Sequence, residues 1–142
     1  MPYVTLSQLT ARFGEAMLVA LTDRGEFATS TVDTTVVDRT LADADAMIDG
    51  YLARRYALPL SITQPLLVTI AGALAIYHLH TSEPDPKIEA DYKAAVAMLR
   101  DISSGTIALT AAGIEAPSTG GTGVQFTDRD RNMTQDNMTG LI

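Results

Sequence analysis

From Leu66 to Leu79 the chain reads LLVTIAGALAIYHL, with no Asp, Glu, Lys or Arg. A helix of that composition has no polar face to offer water, so it has to be covered on every side. That requirement decides most of what the chain can fold into, because other segments must supply apolar stripes around a central rod. Gln64-Pro65 opens the helix and puts proline at the first helical position, where a missing N–H costs nothing. The run is shorter than the ~20 residues that span a bilayer, and Thr69, Gly72, Tyr77 and His78 interrupt it. Its cover is therefore expected to be protein, from the same chain or from other subunits.

Two longer segments can supply the stripes. One starts at Asp33 or Thr34 and is expected to run to Tyr56, with Val37, Leu41, Ala44, Ile48, Tyr51 and Leu52 on one face at 100° per residue. At ~1.5 Å per residue such a helix is about 33 Å long. Pro59 stops it, since the residue before a proline avoids the helical region. The other runs from Lys87 to Ser104 and aligns Ile88, Tyr92, Ala95, Val96, Leu99 and Ile102. Glu89, Asp91, Lys93 and Arg100 fall off that face, and Gly105 serves as the cap. The rigid turn Glu83-Pro84-Asp85-Pro86 precedes it.

Upstream, Thr5-Leu6-Ser7-Gln8 has the form of a capping box. It predicts a short helix to Phe13, ended by Gly14 in the left-handed conformation, then one or two helical turns over 15–21. A loop follows through Thr31. Residues 106–110 alternate weakly and are read as one short strand or hairpin. The expectation is an all-α fold, a compact bundle of four to five helices over residues 1–113.

From Glu115 the composition changes. Residues 117–123 form a Gly/Ser/Thr linker, and the polar remainder carries apolar points at Val124, Phe126, Met133, Met138 and Leu141. Such a tail buries too little to fold alone. Residues 114–142 are read as a linker and extended C-terminal arm ordered by partners, with Phe126, Met133, Met138 and Leu141 as its contacts.

The net charge is −7, and no basic cluster exceeds Arg54-Arg55. This argues against a protein that grips nucleic acid by neutralising phosphates. The absence of cysteine removes disulfides, thiol nucleophiles and Cys-type zinc sites. The N-terminus lacks the basic and apolar regions of a secretory signal, so a soluble intracellular protein is expected.

Candidate chemistry is sparse. Asp38, Asp45 and Asp49 lie on one flank of the long helix, while Asp43 points elsewhere. Carboxylates at i, i+4 could hold a divalent cation or share acid–base work. An amphipathic helix in an acidic protein also needs polar residues there, so the flank is read as solvated or as a subunit contact. His78 and His80, at i, i+2, diverge as ligands and suit the negative end of a helix dipole. Asp128, Asp130, Asn132 and Asp136 partly copy a calcium loop, but Met133 and Thr139 stand where it needs Gly and Glu. The sequons at Asn132 and Asn137 are read as unmodified. No nucleophile triad, phosphate loop or aromatic–basic interleaving is present, so no enzyme, cofactor or metal site is expected.

The segments MIDGYLARRYALPL, QPLLVTIAGALAIYHL and YKAAVAMLRDISSGTIAL, in that order, resemble a family of small Mu-like phage and prophage head proteins. YVTLSQLTARFGE fits the same pattern, and QFTDRDRNMTQDNMTGLI resembles the family's closing segment at Phe126 and Gly140. The resemblance implies a non-enzymatic head–tail connector, an adaptor or head-completion protein of the virion neck, present in the host cytoplasm during assembly. It implies a ring of about twelve copies, closed through unlike faces of adjacent subunits. Its partners would be the portal protein above and a tail terminator or stopper protein below. DNA would pass through the channel without sequence-specific binding, and no membrane would be involved. Asp38, Asp45 and Asp49 are expected near the subunit interface, with Arg54 or Arg55 answering a carboxylate. The alternatives are another virion role, as tail terminator or capsid accessory protein, or a small metal-dependent hydrolase using Asp45 and Asp49. A helical binding module unrelated to virions is a third.

Overall fold

A computed structural model describes residues 2–62 and 64–109. The fold is all-α, with helices α1 (Leu6–Phe13), α2 (Glu15–Thr22), α3 (Thr34–Leu52), α4 (Pro65–Leu79) and α5 (Pro86–Ser104). The apolar rod α4 packs against both α3 and α5, which also touch each other. Leu67, Ile70, Leu74, Ile76 and Leu79 of α4 are fully covered, and they join Ile48, Leu52, Leu99 and Ile102 in one core. The cover comes from the same chain. α1 and α2 pack on each other and contribute Leu9 and Leu18 to that core.

The helix ends follow local chemistry. Thr5 and Gln8 form the expected capping box on α1. The Asp33 side chain accepts the N–H groups of Thr35 and Val36, and Asp85 accepts that of Lys87. Proline opens both α4 and α5. Gly14 takes φ 88° and ψ 147°, so it has the positive φ that glycine permits, but its ψ lies outside the left-handed helical region. Gly105 does take the left-handed conformation, φ 88° and ψ 7°.

Two expectations are corrected. α3 ends at Leu52 and not at Tyr56. The chain tightens there: Arg55 and Tyr56 both direct N–H groups to the Leu52 carbonyl, at 2.9 and 2.8 Å. This turn carries the Tyr56 ring into the core, 3% exposed, which a continued helix would not. Nor do residues 106–109 form a strand. The Ile107 N–H turns back to the Asp101 carbonyl, and Leu109 is buried with its N–H donated to the Tyr56 hydroxyl at 3.1 Å. The backbone donor is thus satisfied by a side chain from the end of α3. Thr110 and the linker and arm expected over 114–142 lie outside the described residues.

Candidate functional site

The acidic flank of α3 holds the N-terminus of the chain. Asp45 and Asp49, one helical turn apart, both face the segment before α1. The Tyr3 N–H donates to Asp45 Oδ1 at 3.0 Å, and the Tyr3 hydroxyl donates to Asp49 Oδ1 at 2.5 Å. Tyr3 and Val4 are buried alongside. The two carboxylates, read from the sequence as a solvated or subunit-contact flank with a cation or acid–base pair as the alternative, act together as a clamp on one residue of their own chain. Burial, above all, then the Asp49 hydrogen bond and the two negative charges, push the Tyr3 hydroxyl well above its ordinary range. Burial also raises the Asp45 carboxyl, against the lowering effect of the Tyr3 N–H.

Asp38 is exposed and is not joined to this clamp; Asp43 is exposed as well. Arg54 is exposed on the turn after α3, next to the half-buried Arg55. The Arg55 guanidinium lies over Gly105, where a Cβ would collide with it. Glycine is needed there on two counts, for the positive φ and for the arginine. Phe126, Met133, Met138 and Leu141, the partial calcium loop and both sequons lie outside the described residues.

His78 and His80 go separate ways. The His80 ring Nδ1 lies 2.7 Å from the Ile76 carbonyl, so that nitrogen carries the proton and donates it. His78 sits beside the Tyr77 and Tyr92 rings, which stack at 3.9 Å and fasten α4 to α5. Among the described residues, no group of three or more His, Asp or Glu is placed to hold a metal ion, and no helix is long and apolar enough to cross a membrane.

The loop between α2 and α3 is more ordered than its Thr/Ser-rich sequence suggests. Asp23 Oδ2 accepts the N–H groups of Thr29 and Ser30, each at 2.9 Å. The Asp33 N–H donates to Thr22 Oγ1 at 3.1 Å, and the Arg24 guanidinium donates to the carbonyl of Leu79 at the end of α4. Phe27 stands out from this braced loop, 80% exposed. Sequence reasoning missed Tyr3, Arg24 and Phe27. Only Phe27 carried a signal, as a lone aromatic in a polar loop.

Comparison with known proteins gives the class. The chain belongs to the family described as "Bacteriophage Mu, Gp36", which matches residues 3–127. Among its relatives is "Gene product J" of Escherichia phage Mu, 38% identical over 105 residues that make up 74% of each chain. Another is "Mu-like prophage FluMu protein gp36" of Haemophilus influenzae, 32% identical over 78 residues, 55% of each chain. The expected kinship with Mu-like phage and prophage proteins holds, and it is this chain's family.

Proposed function

We propose that the protein is a structural component of the virion, a head–tail connector whose copies form a ring beneath the portal. The observation that carries this reading is the way the polar groups are used within a Mu-phage family fold. Asp45, Asp49, Arg24 and His80 all bond to parts of their own chain, so the candidate chemistry serves to hold a compact shape. A molecule built this way acts through its outer surface. The exposed Asp38 and Arg54, with the adjoining Arg55, are the charged groups we assign to contacts between copies, since arginine pairs well with carboxylates. The arm over 114–142 would lie on the portal or on a neighbouring copy through Phe126, Met133, Met138 and Leu141 and become ordered there. The net charge of −7 suits a channel wall that lets DNA slide without adhering.

The test is loss of the protein from a phage that encodes it. The connector reading expects DNA-filled heads and finished tails that fail to join, with joining restored by the wild-type chain and poorly by R54E/R55E. Normal infectious particles made without the protein would refute the reading. Heads arrested before packaging would place the protein earlier in assembly and refute it too.

A further inference from the structure

We propose that copies of this chain join by a knob and a pit, with Phe27 of one copy entering a pit between α1, α4 and α5 of the next. The pit has a volume of about 200 Å³ and an apolar floor that includes Ile70, Ala73, Ala95 and Met98. A cavity of roughly 150 Å³ accepts a benzene ring, so the pit is of a size to take a phenylalanine side chain. Met98 is one of three large apolar side chains left exposed among the described residues, and Phe27 is the most exposed of them. Methionine sulfur against an aromatic ring is a favourable contact.

Charge selects the same pairing. Arg12, Lys87 and Asp91 stand at the pit; Lys87 and Asp91 pair with each other at 2.8 Å, which leaves the Arg12 charge in excess. The loop carrying Phe27 has Glu26 beside the ring, with Asp23 and Asp33 outweighing Arg24. An acidic knob thus meets a rim whose net charge is positive through Arg12, the guanidinium of which lies over the ring of its own Phe13 at 5.7 Å. The bracing of the loop by Asp23, Thr22 and Arg24 means that little ordering entropy is lost when the knob docks.

Knob and pit lie on different parts of one copy. Arg24 ties the loop to Leu79 at the end of α4, whereas the pit begins around Thr69 and Ile70, about 13 Å back along that helix. Contact between unlike patches leaves a free knob and a free pit at the ends of every open chain of copies, the arrangement that closes into a ring where the rotation between copies permits and otherwise extends as a filament. The proposal deepens the ring reading by naming a contact, although the contact can be tested on purified protein without reference to the neck.

The chain has no cysteine, so two introduced thiols report on this contact alone. The full-length A28C/A94C variant, which keeps Phe27 and Met98 and places its thiols beside the knob and in the pit lining, is expected to give a ladder of linked multimers on a denaturing gel when treated with a short bismaleimide. An equal mixture of the A28C and A94C single variants is expected to stop at linked dimers. Sedimentation should show F27A associating about thirty-fold more weakly than wild type, with unchanged helix content because Phe27 is 80% exposed in its own copy. Linkage within single copies, absence of a ladder, or F27A associating as strongly as wild type would each overturn the proposal. Assembly that persists in F27A would leave the ring reading standing with a different contact. A Phe27-dependent ladder from a protein absent from particle necks would keep the contact and remove the connector reading.

Discussion

The trio α3–α4–α5 and the N-terminal segment around Tyr3 are held in place by different forces. The trio is closed mainly by aliphatic side chains, with the Tyr77–Tyr92 stack between α4 and α5 and no Asp, Glu, Lys or Arg in the buried core. The N-terminal segment adds Val4 and Leu9 to the same core, but its position on α3 is set by two carboxylates meeting one tyrosine. The first arrangement fails when volume is removed. The second responds to single atoms and to pH.

The largest expected loss comes from opening the apolar centre. L74A removes a fully covered side chain from the middle of α4. It should lower unfolding free energy by about 3–5 kcal/mol, read as a shift in denaturant midpoint at constant slope. A loss below about 1 kcal/mol would mean that α4 is not the covered rod described here. G105A comes next, at about 1–3 kcal/mol, since alanine meets both the positive φ and the Arg55 guanidinium. Recovery in a G105A/R55A double variant would measure how much of that loss is the steric part.

Y3F separates the seam from the centre. Losing one hydrogen bond to a partly solvated carboxylate should cost about 1 kcal/mol near neutral pH. The Tyr3 hydroxyl has a raised value in the folded state, so its contribution is complete below the ordinary value of 10.0 and is lost as pH rises beyond that. Wild type should therefore lose stability faster than Y3F between about pH 9 and pH 11. Equal slopes would show that the tyrosine is not clamped. D45N should have a smaller effect of opposite sign. The folded-state value of Asp45 is raised, mainly by burial, so its favourable contribution is present below about 3.8 and lost as pH rises through the raised value. Asparagine keeps an acceptor for the Tyr3 N–H, so D45N should match or slightly exceed wild type at pH 7 and lose that advantage in acid. The smallest effect belongs to the exposed pair Lys93–Glu89 on α5, where K93A should leave the thermal midpoint unchanged within error.

Much of the trio was legible because its signals are local and redundant. The charge-free run, the proline at its start and the 3.6-residue stripes of α3 and α5 all point to the same elements. The capping residues Thr5, Asp33 and Asp85 set helix starts for reasons visible within a few positions. What was not legible depends on partners distant in sequence. Asp45 and Asp49 read as a free acidic flank because their partner lies more than forty residues away, at Tyr3. α3 stops early because Tyr56 pairs with Leu109, a contact that no helical period encodes. Arg24 looked like a loop charge, yet it caps the end of α4. The segment around Phe27 is the loop its composition suggests, but its bracing by Asp23 through hydrogen bonds to Thr29 and Ser30 was not read from the sequence.

The central claim is that this family fold serves as a ring subunit between head and tail. A cryo-EM reconstruction of the neck of a phage encoding this protein, with the chain traced by its side chains, tests that claim most directly. The account predicts a closed ring of subunits built on α1–α5 directly below the portal, DNA running through its centre and the 114–142 arm reaching neighbouring proteins. Density for this chain elsewhere in the particle, or a neck complete without it, would contradict the account.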